Sequence, residues 1–207
     1  MNIYYIVTLF FLIFASKANF LVKSNLAWFG FEVFMIVIAL SFNRIKKKDV
    51  QFFILSSVIY FIYILFRFKL NQLPTDYFKS DVFYFFKFVL TSYLFCLILK
   101  ERALYYLIKV ISHLALISIV FYVLQFYQDG AIVKAIGKAF ESITVETFSL
   151  RYTNFLIFTY DTIHYYRNSG FCWEPGAFGS FLTLALMFNF LINDFKLNKE
   201  ALIITLA

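Results

Sequence analysis

The sequence predicts an all-α protein: a polytopic membrane helix bundle of about six or seven transmembrane helices with a long outer loop. Three observations predict it. Hydrophobic residues make up 62% of the 207 residues and charged residues only 15%, where a soluble domain has about 45–50% and about 25%. The mean hydropathy is +0.79. Two prolines and six glycines leave little material for long irregular connections, so the chain should be mostly helix. A bilayer core roughly 30 Å thick takes about 20 apolar residues per helix, so about six or seven spans use nearly the whole chain. A soluble enzyme, a disordered chain and a disulfide scaffold are excluded on the same figures.

Apolar runs at Ile3–Ala15, 26–42, 52–66, 82–99, 103–127 and Pro175–Ile192 read as the spans. The opening MNIYYIVTLFFLIF has no basic leader and no small-residue cleavage site, which makes it a retained first span rather than a signal peptide. A seventh run starts near Ala201 and is too short at Ala207 to cross a bilayer. The expectation is therefore the front part of a longer protein. Residues 1–207 form one integral-membrane domain on this reading, with 128–174 as a long extracytoplasmic loop. Cys96 and Cys172 have no metal-ligand spacing and read as two small buried hydrophobes.

Lysine and arginine in short loops set the orientation. The densest cluster, Arg44, Lys46, Lys47 and Lys48, belongs in the cytoplasm. Alternation then brings Lys100, Arg102, Lys196, Lys199 and the N-terminus to that side. The outer side receives Arg67, Lys69, Lys79, Lys87, Lys134, Lys138, Arg151 and Arg167. That positive charge suits an anionic substrate. Alternatively, these side chains snorkel or pair with Asp76, Asp81 and the other outer carboxylates.

Within the long loop, Ile132, Ile136, Ala139, Phe140 and Ile143 fall on one helical face, and Lys134, Lys138, Glu141 and Ser142 on the other. This pattern predicts an amphipathic helix lying in the membrane interface. NFLIFTY follows, too short to span, and the aromatic-polar run to Tyr166 belongs at headgroup level. Charges inside spans need partners. Glu32 reads either as a hydrogen bond to another helix or as a proton-coupling group. Lys87 snorkels outwards or reaches a phosphate, and His113 reads as a helix-packing residue one turn from Lys109.

The densest chemistry lies in Arg167-Asn168-Ser169-Gly170-Phe171-Cys172-Trp173-Glu174-Pro175-Gly176-Ala177-Phe178-Gly179. Pro175 suits the first turn of a helix. Glu174 is then pushed to extended backbone at the N-cap. The N–H groups of Gly176, Ala177 and Phe178 point at incoming anionic oxygens. Arg167, across a turn containing Gly170, offers a bidentate fork for a pyrophosphate. Glu174 is placed to take a proton from an attacking hydroxyl. His164, three residues before Arg167, is a further donor or base. The competing reading is a Glu174–Arg167 salt bridge that only fixes the loop.

This string, followed by an apolar helix, resembles the motif of the O-antigen polymerase and O-antigen ligase superfamily. The match covers Arg167–Gly179, and the plan of early short helices, a long outer loop and a motif opening a late helix also fits. The resemblance implies a metal-independent, cofactor-free glycosyltransferase in the cytoplasmic membrane of a bacterium. It would transfer a glycan from an undecaprenyl-pyrophosphate donor to a sugar acceptor at the outer face. Arg167 would bind the pyrophosphate, Glu174 would orient the acceptor or act as base, and Gly170 and Gly176 would shape the turn. Arg151 and Lys87 would add substrate-binding charge, and His164 would assist catalysis. The implied partners are the lipid-linked glycan, the bilayer and a chain-length regulator.

Two other functions compete. A flippase for the lipid-linked oligosaccharide would use Glu32, Lys87 and His113 along its path. A non-catalytic membrane subunit would use the loop only to dock a partner. No Walker loop, Rossmann glycine fingerprint or CxxC is present. The membrane setting leaves no place for a nucleic-acid module.

Overall fold

The computed structural model describes residues 2–72, 74–139, 145–147, 150–161 and 166–207, with only the backbone described at 20, 23, 128, 129, 145–147, 150–152 and 161. The chain is mostly helical, 79%. The helices are α1 (Ile3–Ala15), α2 (Phe20–Lys23), α3 (Asn25–Ser41), α4 (Lys47–Leu70), α5 (Thr75–Tyr84), α6 (Thr91–Leu99), α7 (Ala103–Phe126), α8 (Ala131–Ala139), α9 (Pro175–Ile192) and α10 (Lys199–Leu206). A π-helical turn, Phe85–Leu90, joins α5 to α6. The strands are β1 (Val145–Thr147), β2 (Leu150–Asn154) and β3 (Thr159–Asp161).

Asparagine side chains cap three of the helix starts. Asn2 accepts from the Tyr4 amide at 3.1 Å, Asn19 from Leu21 at 3.0 Å and Asn198 from Ala201 at 2.8 Å. Each satisfies one of the four amides that a helix leaves unpaired at its start. Among the described residues, three helical runs are long and apolar enough to cross a membrane: Lys47–Leu70, Thr75–Phe126 and Pro175–Ile192. The second is 52 residues long, and its backbone breaks at Lys100, where φ is +48°. Ile3–Ala15 and Asn25–Ser41 are apolar but shorter. By length and composition this is a membrane protein.

The described contacts group the chain into two compact units. In the first, Met1–Ala27 with Glu101–Ala207, α7 packs against α9, α10 and α1. Leu12, Ile108, Ile111, Leu114, Phe178, Ala185 and Ile204 form its buried core. Near the end of α7 a second, smaller core gathers Val133, Phe155, Phe158 and Tyr160 against Phe121, Tyr122 and Leu124.

That smaller core corrects the all-α expectation. The loop carries a three-stranded antiparallel sheet in the order β1-β2-β3, with Glu146 opposite Arg151 and Thr153 opposite Tyr160. Segments such as LRYTN and TYD are too short for a helix, and their β-branched and aromatic residues suit a pleated surface. NFLIFTY, too short to span, thus forms a hairpin tip between β2 and β3. Asn154 is fully buried; its Oδ1 accepts from the Leu156 amide and its Nδ2 donates to Thr159 Oγ1 at 2.7 Å. Phe155 and Phe158 turn inward onto Phe121, with ring centroids 5.1 and 5.3 Å apart.

The amphipathic helix exists as α8, with its buried face shifted by one residue from the expected one. Val133 and Gly137 are buried, Ile136 is half-buried and Ile132 is exposed. A Cβ on Gly137 would lie 2.9 Å from Thr153 Cγ2. The helix therefore presses its smallest residue onto β2, and Val133 packs into the smaller core while Ile132 and Ala139 remain exposed. Phe140, Glu141, Ser142 and Ile143 lie outside the described residues.

The second unit, Trp28–Lys100, is organised around aromatic rings. Phe85, in the π-turn, meets Tyr60 and Phe61 of α4 at 5.3 and 4.8 Å, and Phe53 stacks on Tyr93 at 4.2 Å. The Glu32 carboxylate is buried and accepts from Thr91 Oγ1 at 3.5 Å, a helix-to-helix contact. Arg67 pairs with Asp81 at 3.0 Å and Lys79 with Asp76 at 3.3 Å. Two of the cations that the sequence assigns to the outer side are thus already partnered. In α4 only Ile64 is buried, and Ile54, Leu55, Val58, Ile59 and Ile62 are all exposed. An apolar face of this size is not left to water by a soluble monomer.

Candidate functional site

The motif begins where the chain leaves the sheet. Tyr122 of α7 donates its hydroxyl to the Tyr166 carbonyl at 2.9 Å. The Arg167 guanidinium lies over the Tyr166 ring, 5.3 Å from its centroid, and the side chain is otherwise open to the outside. Cation–π attraction holds the guanidinium near this ring.

Asn168 then anchors the turn. Its Oδ1 accepts from the Gly170 amide at 3.0 Å, and its Nδ2 donates to Ser118 Oγ on α7 and to the Ala207 carbonyl, both at 3.0 Å. Gly170 has φ +50°, the left-handed region in which a side chain is strained. A Cβ there would meet the Phe178 ring at 2.5 Å, and the Gly170 carbonyl accepts from the Thr159 amide of β3 at 2.6 Å. Phe171 and Cys172 are fully buried, and Phe171 meets Phe178 edge-on at 5.8 Å. Burial, with the nearby Glu174 carboxylate adding to it, pushes the Cys172 thiol well above its usual value.

Glu174 sits at the N-cap of α9 with φ −147° and ψ 158°, and Pro175 occupies the first turn. This is the geometry that proline imposes on the residue before it. The carboxylate makes no capping hydrogen bond. The backbone carbonyl instead accepts from the Phe178 amide at 3.2 Å, which takes one of the three amides expected to face an anion. Glu174 is half-buried. Among the described residues no ion pair joins Arg167 to Glu174, so the salt-bridge reading of the loop has no contact to support it.

Gly176 departs from its expected role. It lies in regular helix, and a Cβ there would meet only Glu174 Oε1, at an ordinary 3.9 Å. The turn depends on Gly170 and not on Gly176. His164 lies outside the described residues. Arg151 is described by its backbone alone, in β2 opposite Glu146.

Lys87 belongs to the other unit, where its ammonium lies 6.0 Å from the Trp28 ring centroid. His113 accepts or donates through Nδ1 to the Tyr5 hydroxyl at 2.9 Å, the helix-packing role expected of it. Cys172 is buried as expected, while Cys96 is exposed. Among the described residues no three His, Cys, Asp or Glu side chains converge on a point that could hold a metal ion.

The sequence reading missed Asn168, Ser118 and Tyr122. The N-S-G triplet was a turn signal, but the reach to α7 across 50 residues has no local signature. Together these residues define a polar turn pinned to the start of an apolar helix, in a mostly helical membrane protein. No family model, curated protein or solved structure matches the chain.

Proposed function

We propose that this chain belongs to a bacterial membrane glycosyltransferase that polymerises or ligates undecaprenyl-pyrophosphate-linked glycan repeats at the outer face of the cytoplasmic membrane. The observation that carries the reading is the motif Arg167–Gly179 at the head of the 18-residue apolar helix α9, with the Arg167 fork exposed and unpaired with Glu174. The spans are α1, α3, α4, the α5–α6 run, α7 and α9, with α10 opening a seventh and the N-terminus in the cytoplasm. Lys46 and Lys100, from the two loops assigned to the cytoplasmic side, line one groove, which supports that alternation.

In the reaction, an acceptor hydroxyl attacks the anomeric carbon of the donor glycan and passes its proton to the Glu174 carboxylate. A new glycosidic C–O bond forms as the bond from the anomeric carbon to the pyrophosphate breaks. Undecaprenyl pyrophosphate leaves with the bonding electrons. Arg167 holds that developing charge through paired N–H donors, a stabilisation that lysine cannot reproduce in the same geometry.

The test is a variant series in cells that make the polymer. Arg167→Ala abolishes polymer at unchanged membrane levels, because the side chain is exposed. Arg167→Lys restores part of it, and Glu174→Gln loses it. Normal polymer length in Arg167→Ala removes the residue from the mechanism. The flippase reading draws little support, since Glu32 and His113 each already hold a hydrogen-bond partner within their own unit.

A further inference from the structure

The Trp28–Lys100 unit contains a feature that the transferase reading does not use. Beside the first turn of α4 and the end of α6 lies an open groove of about 450 Å³, lined by Lys46, Asp49, Phe52, Tyr93, Cys96 and Lys100 among others. A second groove of about 260 Å³ shares Phe52 and Tyr93 with it and runs on past Ser57, Tyr60, Phe85 and Val89. Both ends therefore meet at the same two rings. One end carries two ammonium groups and one carboxylate, and the other is almost wholly apolar.

Tyr93 lines both grooves, and its hydroxyl is buried with no hydrogen-bond partner among the described residues. An orphaned buried hydroxyl is costly unless something supplies a partner. Tyr93 itself is held by stacking on Phe53, so the hydroxyl does not turn freely away. A free phosphate would satisfy the lysines and leave the apolar continuation unexplained. A hydrocarbon alone would leave two lysines and a phenol without purpose.

We propose that this groove binds an anionic phospholipid. Its phosphate sits between Lys46 and Lys100, and a headgroup hydroxyl donates to Asp49. A phosphate or ester oxygen accepts from the Tyr93 hydroxyl, and one acyl chain lies along Phe52, Tyr60, Phe85 and Val89. The net charge of the lining favours an anionic lipid over a zwitterionic one. The site is independent of Arg167 and Glu174 and stands or falls separately from the transferase reading.

The experiment uses the protein purified from membranes and reconstituted with equal amounts of phosphatidylglycerol and phosphatidylethanolamine, with retained lipid read by native mass spectrometry. The wild type retains a single phosphatidylglycerol in preference to phosphatidylethanolamine. Each lysine near an anionic lipid is worth about fivefold in binding, so Lys46→Ala with Lys100→Ala lowers retention by roughly 25-fold. Lys47→Ala with Lys48→Ala, which lie outside the groove, changes it little. Equal retention of the two lipids by the wild type, or equal loss in both double variants, overturns the proposal. A photoactivatable phosphatidylglycerol tests the wild type without any substitution. Adducts concentrated on Phe52, Tyr60 and Val89 support the site, and adducts spread over the exposed Ile54, Val58 and Ile62 face contradict it.

Discussion

Gly170 is held by two constraints at once. Its φ of +50° disfavours any side chain, and the Phe178 ring fills the space a Cβ would need, at 2.5 Å. Strain of this kind costs about 1–3 kcal/mol and overpacking about as much again. Gly170→Ala should therefore lower stability by roughly 2–6 kcal/mol, seen as a fall in the thermal midpoint in detergent. Arg167→Ala, three residues away, should leave that midpoint nearly unchanged. Gly176→Ala should be tolerated, because its Cβ meets only an ordinary contact. Cys172 gives a pH signature. Its folded thiol is raised by burial, so above the unfolded value of about 8.5 the unfolded chain loses a proton that the folded chain keeps. Stability is then fully present below about pH 8.5 and falls above it by up to about 1.4 kcal/mol per pH unit. The midpoint of the wild type should drop more steeply in this alkaline range than that of Cys172→Ala. At this scale the sequence was informative where the rule is local: Pro175 fixed the extended Glu174. It was silent on Asn168, whose partners lie on α7 and at Ala207.

Among the elements, the turn from α9 to α10 is held by amides. Asn189 is buried and exchanges hydrogen bonds with Asn198, donating at 2.8 Å and accepting at 3.0 Å, while Asn193 donates to Asn189 Oδ1 at 2.7 Å. Asn198 also caps α10. Removing it leaves Asn189 buried and under-satisfied and the helix uncapped, at about 2–4 kcal/mol in all. Asn198→Ala should loosen α10, measured as faster amide exchange over Lys199–Leu206, while Asn198→Asp should keep the cap and lose only the reciprocal amide. The apolar helices were legible because a run of hydrophobic side chains without prolines has few other outcomes. The amphipathic pattern of α8 was legible too, but its phase was not, since Gly137 is buried for its smallness and not its hydrophobicity. The hairpin around Asn154 escaped because periodicity alone does not tell a short apolar strand from a piece of helix.

For the whole molecule, the exposed apolar surface is the strongest physical statement. The window of α4 that reads as a span is only 6% buried within the protein, so lipid is the solvent its side chains fit. Ile59→Lys, at an exposed mid-helix position, should cost about 2.5–3.5 kcal/mol of insertion and reduce recovery in carbonate-washed membranes. In a helix facing water the same change would be neutral. Composition made the membrane setting plain, whereas the grouping into two units rests on proximities between residues distant in the chain that no hydropathy profile contains.

The most direct measurement is on the lipid-linked glycan of cells from which the gene has been deleted, reading its repeat number and the membrane face that carries it. Single repeats stranded on the outer face are the result expected of a lost polymerase, and long lipid-linked chains there the result of a lost ligase. Single repeats held on the cytoplasmic face, or polymer of normal length on its normal carrier, would contradict the catalytic reading of Arg167 and Glu174.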